Sequence, residues 1–176
     1  TSPWAVLVTE TARSCLMADP AWTGDGFAGV PQRGWRAYAG LMSALQSRTP
    51  MALEEFIDGR DQAHAWFEQT VAQTRAMDFD AHDYLYQSWA YEAHDVGTTP
   101  GVADTGSALA AITAATLVLA PPLDLFNPAE AGRAAAAAIP GARFVEIPSL
   151  QGHQAATSLK AEDAAAGWIS LFDGKT

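Results

Sequence analysis

The sequence predicts an α/β protein in which a long helical region precedes a short tail of alternating strands and helices. Residues 2 to about 95 carry apolar side chains at helical spacing and almost no strand signal. The tail beyond about residue 115 follows the pattern strand, helix, strand, helix, which is typical of parallel βα units. With 176 residues, of which 49% are hydrophobic, the chain is long enough to bury a core.

The helical region divides at recognisable start and stop signals. Ser2 followed by Pro3 predicts the beginning of the first helix, because a serine cap and a proline at the first helical position are common there. A turn-rich stretch, DPAWTGDG at 19–26, ends that helix. Further helical patterns run over about 33–47, 51–57, 61–76 and 80–94.

The tail contains two predicted strands, at 116–120 and 142–147. A helix at 128–139 connects them and a final helix is predicted at 161–173. Two parallel strands do not form a stable sheet alone. We therefore expect the remaining strands to come from a second polypeptide or from an N-terminal portion that is not in this sequence, and the chain purified alone to aggregate or stay molten.

Composition excludes several classes of protein. The formal charge is −10 and the ten Lys and Arg residues are scattered, which argues against a nucleic-acid partner. The single cysteine, Cys15, excludes an internal disulfide and a CxxC metal site. No apolar run reaches the roughly 20 residues of a membrane span. The chain begins at Thr1 rather than Met, so the compartment is open: we favour the cytoplasm, with the periplasm as the alternative.

Two polar residues follow the two predicted strands at their carboxyl ends. Asp124 lies in LAPPLDLFNP (119–128) and His153 in IPSLQGHQAATS (147–158). Active-site groups of open α/β sheets gather at this edge, so we expect Asp124 to hold the imidazole of His153 in a fixed tautomer while His153 acts as a base. The alternatives are an acid in a helix N-terminal turn and an ordinary loop histidine. In α/β-hydrolases the chain order of the catalytic residues is serine, acid, histidine, so the order of Asp124 and His153 fits. The serine motif G-x-S-x-G is absent from this sequence, and Ser107 lacks the preceding strand that such a serine has.

Four segments of the chain resemble the homoserine O-acetyltransferase family. They are TARSCLMADPAW (11–22), FDAHDYLYQSWAYEAHDVG (79–97), ATLVLAPPLDLFNPAEA (115–131) and VEIPSLQGHQAA (145–156). The resemblance implies an α/β-hydrolase fold of which this chain is the C-terminal half: residues 1–17 a helix of the core, 18–100 a helical lid, and 101–176 the last two βα units. It also implies that Asp124 and His153 are the acid and base of a Ser-His-Asp triad. The nucleophilic serine and the oxyanion hole would then lie on an N-terminal half, on another chain or in a missing portion.

Departures from the family pattern bear on the substrate. The family's catalytic histidine is followed by an aspartate that receives the substrate amino group, and here that position is Gln154. A lid arginine that binds the homoserine carboxylate matches either Ala39 or Arg36, depending on the gap placed in PQRGWRAYAGLMSALQSR (31–48). A neutral amide cannot make the charge-assisted contact of a carboxylate. We therefore expect Gln154 and Arg36 to bind a substrate other than homoserine.

The leading interpretation is a hydrolase that cleaves an ester or amide through an acyl-serine intermediate, without a cofactor or a metal. The first alternative is a CoA-dependent O-acyltransferase, with acetyl-CoA as co-substrate. A second is a catalytically silent lid or oligomerisation module, and a third is a hydrolase that uses Thr1 as an N-terminal nucleophile. We expect a processed heterodimer, in which the partner carries the serine, and a higher oligomer formed through the lid helices.

Overall fold

The computed structural model describes residues 2–46 and 48–157. In these described ranges the elements are, in chain order, α1 Pro3–Met17, α2 Gln32–Leu45, α3 Pro50–Glu54, α4 Gly59–Ala76, α5 Ala81–Ala93, α6 Thr105–Ala110, β1 Leu117–Ala120, α7 Ala129–Ala138 and β2 Arg143–Glu146. Short 3-10 helices cover Val96–Thr98 and Gly152–Thr157. Thr1 and the predicted helix at 161–173 lie outside the described residues. Within them, no helix combines the length and apolarity needed to cross a bilayer.

Side-chain caps explain where several helices begin. Ser2 accepts a hydrogen bond from the backbone N–H of Ala5 at the start of α1, as the sequence predicts. The same type of cap begins three later helices, through Thr49 on α3, Asp80 on α5 and Asp104 on α6. The cap of α5 is Asp80, whose side chain accepts from the N–H of His82. Helix α6 was not predicted, because its six residues are too few for a periodic signal.

The helical region packs around a core formed by Leu16, Trp35 and Ala81. Helix α1 crosses α2 closely at Gly34, where an added Cβ would lie 2.9 Å from the Cα of Leu16. Only glycine permits this approach between the two backbones. The crossing fixes α2 over the core, so that its other face is free to line the cavity described below.

Asp19 caps α2 from a distance, since the residue at the helix start, Pro31, has no side-chain hydrogen bond. The Oδ2 atom of Asp19 accepts from the N–H groups of Arg33 and Gly34, at 2.8 and 2.9 Å, and Oδ1 accepts from Ala21 at 2.8 Å. These bonds satisfy donors that the first turn of a helix leaves unpaired. The bond from Ala21 is the largest cause, with Gly34 and Arg33 contributing, and together they outweigh burial and hold the pKa of Asp19 below its ordinary value.

Replacing Asp19 with asparagine is expected to lower the free energy of unfolding at pH 7 by about 1–2 kcal/mol, because the amide has one acceptor oxygen where the carboxylate has two, and its NH2 group faces N–H donors that then lose their acceptor. Because the folded-state pKa of Asp19 is lowered, its stabilisation is present above the unfolded value of about 3.9 and is lost as the pH falls through the lower folded value. Wild type and variant should therefore converge in denaturant unfolding below about pH 4. Asp25→Asn, at an exposed turn carboxylate, is the control and should change stability by less than about 0.5 kcal/mol. A difference between Asp19→Asn and wild type that is the same at pH 3 and pH 7 would contradict this account.

The two strands form a parallel sheet, and the sequence predicts both of them. Leu117 pairs with Arg143 and the register continues to Ala120 opposite Glu146. Helix α7 crosses over one face, where an added Cβ on Gly132 would lie 3.2 Å from Cγ1 of Val118. Side chains alternate along a strand, so Leu119 points to the opposite face, and it is 40% exposed. The α/β class and the small parallel sheet are thus confirmed.

Candidate active site

The acid loop, residues 121–128, follows β1 and holds the side chain of Asp124 rigidly. Its Oδ1 atom accepts hydrogen bonds from the backbone N–H groups of Phe126 and Asn127, both at 2.8 Å. The side chain is only 5% exposed. A second link, from Nε1 of Trp4 to the carbonyl of Leu125 at 2.7 Å, ties the loop to α1. The Oδ2 atom is left to face the loop that follows β2.

The histidine loop, residues 148–154, leaves β2 beside the acid loop. The N–H of Ile147 donates to the carbonyl of Ala120 at 2.9 Å, which keeps the two chain segments together as the strands end. Gly152 then turns the chain with a φ of 56°, a left-handed conformation that favours glycine, and begins the 3-10 helix that carries His153. The sequence predicted a plain loop at this point, because six residues of 3-10 helix leave no periodic signal.

Asp124 and His153 meet as the strand order predicts. Nδ1 of His153 lies 2.9 Å from Oδ2 of Asp124. The carboxylate accepts at Nδ1, which favours the tautomer of the neutral ring that carries its proton there and has the lone pair on Nε2. Phe126 packs against the imidazole in an edge contact with a centroid distance of 5.2 Å. The His153 side chain is 27% exposed, and no hydrogen bond from the described residues occupies Nε2.

A cavity of about 420 Å³ lies beside the histidine loop, between α2 and α4. Its apolar walls are formed by Tyr38, Ala39, Met42, Trp66, Met77 and Phe79. Neutral polar side chains complete most of it: Ser43, Gln46, Thr70, Gln73, Thr74 and Gln154. Arg48 is the charged residue among the described lining residues, and its guanidinium is stacked over Phe56 at 4.5 Å. The cavity is therefore suited to a neutral, partly apolar group.

The two residues predicted to bind substrate occupy different environments. Gln154 lines the cavity, next to the candidate base. Arg36 is not among the described lining residues; it makes a two-pronged contact with Glu68, at 2.7 and 2.5 Å, and stacks over Phe67. Ala39, the residue that the other alignment puts at the arginine position, does line the cavity. The role predicted for Arg36 stays a prediction, and a substrate carboxylate would have to compete with Glu68 for it.

Hydrogen bonds between the segment that follows α2 and the histidine loop are not predicted by the sequence. We call Gln46, Arg48 and Thr49 the lid turn. Gln154 donates from Nε2 to the carbonyl of Gln46 at 2.6 Å, and Thr49 donates from Oγ1 to the carbonyl of Leu150 at 2.6 Å. Arg48 donates from Nε to Oε1 of Gln151 at 2.7 Å. The partners lie about a hundred residues apart, so no local sequence pattern announces them.

Other candidate groups are engaged in structural contacts. Burial raises the pKa of Cys15, which keeps it a thiol at neutral pH. Nε2 of His82 accepts from the N–H of Phe27 at 3.1 Å. Ser107 lies within α6, where its N–H donates to Asp104. Among residues 2–46 and 48–157, no cluster of three or more His, Cys, Asp or Glu side chains could hold a metal ion.

Comparison with curated proteins finds homoserine O-acetyltransferases. That of Nostoc punctiforme is 28% identical over 163 residues, which cover 88% of this chain and 46% of the relative. That of Trichormus variabilis is 30% identical over 162 residues, covering 88% of this chain and 44% of the relative. The chain thus spans about half the length of the curated relatives it matches. No protein-family model matches it.

Solved structures give the fold. An acetylester hydrolase from Corynebacterium glutamicum superposes with a TM-score of 0.71 at 23% identity, covering 88% of this chain and 45% of that one. The acetyl esterase MekB gives 0.74 at 20% identity, with 94% and 48% covered. The homoserine O-acetyltransferase of Bacillus anthracis gives 0.66 at 20% identity, with 86% and 44% covered. The resemblance noted in the sequence is confirmed, and the chain has the fold of about half of an α/β-hydrolase.

Proposed function

We propose that this chain is the lid- and base-bearing part of a serine-dependent acyl-transfer enzyme that hydrolyses an ester or an amide. The observation that carries the proposal is the pair formed by Nδ1 of His153 and Oδ2 of Asp124, 2.9 Å apart. The pair stands at the carboxyl ends of two parallel strands, where α/β enzymes place their catalytic groups. In this proposal Asp124 is the acid and His153 the base of a triad, and the serine lies elsewhere.

The proposed reaction assigns His153 four proton transfers, two in acylation and two in deacylation. The serine Oγ attacks the substrate carbonyl carbon while its proton passes to Nε2. The bond from that carbon to the leaving oxygen or nitrogen breaks, and the leaving atom takes the proton from Nε2. Water then gives a proton to Nε2 and attacks the acyl-serine, the carboxylic acid departs, and the serine recovers its proton. Asp124 stabilises the imidazolium and keeps the ring oriented throughout.

The partner in this proposal is an N-terminal half of the same enzyme that supplies the serine, on a companion chain or in the same polypeptide. Two observations support it. Within the described residues β1 pairs with β2 alone, and Leu119 is exposed on the face opposite α7. Further strands beside β1 would pair its free edge, and helices of the same half on the face opposite α7 would bury Leu119. Curated relatives about twice as long as the matched segment are consistent with such a half.

Hydrolysis is favoured over transfer to an amino acid by the lining of the cavity. A zwitterionic acceptor needs charged partners when it leaves water. The described lining offers neutral amides, hydroxyls and apolar side chains, and the guanidinium of Arg48 is already engaged. We therefore propose a small neutral acyl ester or amide as substrate, with Gln154 able to contact it. Transfer from acetyl-CoA is the second candidate, because the curated relatives are named homoserine O-acetyltransferase.

Association of lid helices is part of the proposal for the whole enzyme. Tyr86, Trp89 and Tyr91 of helix α5 are exposed. Exposed aromatic groups of this kind favour protein contacts. Native mass spectrometry of the purified protein would give its stoichiometry.

The experiment that tests the proposed function combines native mass spectrometry with labelling by a serine-reactive fluorophosphonate. We expect a second chain, or a longer single chain, that carries the label, and we expect His153→Ala to abolish labelling. A folded sample of this chain alone, with no label, would favour the silent module. Turnover of p-nitrophenyl acetate without acetyl-CoA would support the hydrolase, whereas a strict requirement for acetyl-CoA would support the transferase.

A further inference from the structure

Three hydrogen bonds join the lid turn to the histidine loop, and they involve Leu150, Gln151 and Gln154 in succession along that loop. All three lid-turn donors or acceptors lie between the end of α2 and the start of α3. The loop is therefore held from two sides. The sheet side holds it through His153 and Asp124, and the lid side through this group of contacts.

Of the three bonds, the one made by Gln154 lies closest to the candidate base, His153. Both polar atoms of the Gln154 amide make hydrogen bonds. Nε2 donates to the carbonyl of Gln46, which belongs to the last turn of α2 and has no helical partner of its own. Oε1 accepts from Oγ1 of Thr157 at 3.1 Å, within the 3-10 helix. The side chain thus links the C-terminus of α2 to the helix that carries His153. An amide suits this task because it donates and accepts at once, whereas a carboxylate could not donate to a carbonyl.

The backbone freedom of Gly152 is the reason that the lid-turn contacts affect the position of His153. Its left-handed φ of 56° allows the chain to turn sharply just before His153, and glycine retains backbone freedom that other residues lack. A segment of this kind keeps one conformation when contacts on both sides restrain it. We propose that the lid turn is a positioning clamp for the histidine loop, with the hydrogen bond from Gln154 to Gln46 as its central contact, and that it keeps Nδ1 of His153 on Oδ2 of Asp124.

The inference rests on the proposed function only where it predicts an effect of the clamp on turnover. The clamp itself predicts two properties that need no serine: slow amide exchange in residues 148–157, and a downfield proton resonance from Nδ1 of His153 bonded to a carboxylate. Gln154 is accordingly a positioning residue, and its loss should alter kcat rather than KM. If Gln154 only contacted substrate, its loss would alter KM and leave both structural properties unchanged.

The test compares Gln154→Met with Gln73→Met in the natively purified protein. Gln73 lies in the same cavity on α4, and within the described residues it makes no hydrogen bond to the histidine loop. We expect Gln154→Met to speed amide exchange in residues 148–157 about tenfold, the fold-change that matches one hydrogen bond. The Nδ1 resonance should broaden or vanish, and kcat should fall about tenfold with KM unchanged. Gln73→Met should leave exchange and resonance as in wild type.

Two further variants keep the inference falsifiable. Gln154→Lys restores a donor of sufficient length and should recover the Nδ1 resonance. If Gln154→Met does not fold, Gln151→Met removes the neighbouring bond to Arg48 and should raise exchange in the same segment. Unchanged exchange and resonance in Gln154→Met, or a rise in KM alone, would overturn the clamp. If wild type does not react with a fluorophosphonate, the proposed function fails, while exchange and resonance still decide on the clamp.

Discussion

Replacing His153 with alanine is expected to lower kcat/KM for p-nitrophenyl acetate by about 10⁴-fold or more, because in the proposed mechanism His153 is the group that accepts the serine proton. The same variant should lose fluorophosphonate labelling, since that reaction also needs an activated serine. Steady-state rates and labelling by intact mass are measured on the same preparations. The fold should survive, because the imidazole is partly exposed and its contacts are with Asp124 and Phe126.

Asp124→Asn is the second variant, and it tests whether the carboxylate of Asp124 fixes the tautomer of His153. Asparagine keeps the size of the side chain and can still accept from the N–H groups of Phe126 and Asn127. It no longer offers a carboxylate to Nδ1, so we expect kcat to fall by about 10³–10⁴-fold with the loop intact. His82→Ala, at a histidine bound to Phe27 on the lid, is the control and should change kcat less than twofold. More than a tenth of wild-type activity in His153→Ala would contradict its assignment as the base.

The strands and the meeting of Asp124 with His153 could be predicted from the sequence because both depend on short-range signals and one topological rule. The runs at 116–120 and 142–147 read as strands, and a single crossover helix makes them parallel. Parallel neighbours bring their carboxyl ends to one edge, so the residues that follow them must be close. The observed register, with Ala120 opposite Glu146, places both loops at that edge.

The contacts of Arg36, Gln154 and Asp19 could not be predicted, because they depend on which face of a helix meets a distant segment of the chain. Arg36 has the residue type expected of a carboxylate-binding group, but the packing of α2 on α4 sets it beside Glu68. Gln154 reads as a substrate contact, and only the folded chain brings it to the carbonyl of Gln46. Asp19 reads as a turn residue, whereas the crossing of α1 and α2 makes it the cap of α2.

Arg13 was another residue whose role only the fold reveals, and its replacement is expected to have the largest effect on stability. It lies on α1 with its side chain 2% exposed and reaches α5, donating to Ser88 at 3.1 Å and to Glu92 at 2.7 Å. Burial raises the pKa of Glu92, but hydrogen bonds from Thr9 and Arg13 outweigh this and hold the pKa below its ordinary value. Arg13→Met would leave Glu92 with Thr9 alone among the described residues, and we expect the free energy of unfolding at pH 7 to fall by about 3 kcal/mol, the low end for a buried pair because the Glu92 side chain is 18% exposed. Denaturant unfolding curves measure this loss.

The pH dependence and a control variant distinguish loss of the Arg13–Glu92 ion pair from simple loss of packing. In wild type the ionised Glu92 stabilises the fold above its unfolded pKa, about 4.3, and this contribution disappears as the pH falls through the lower folded value. Without Arg13 the carboxyl is easier to protonate, so the deficit of Arg13→Met should shrink below about pH 4, whereas a packing defect would persist. Arg36→Met breaks an Arg–Glu pair that is exposed to water, and its effect should be small because solvent screens such pairs. Equal losses in the two variants, or a deficit of Arg13→Met that does not change with pH, would show that the charge on Arg13 is not what joins α1 to α5.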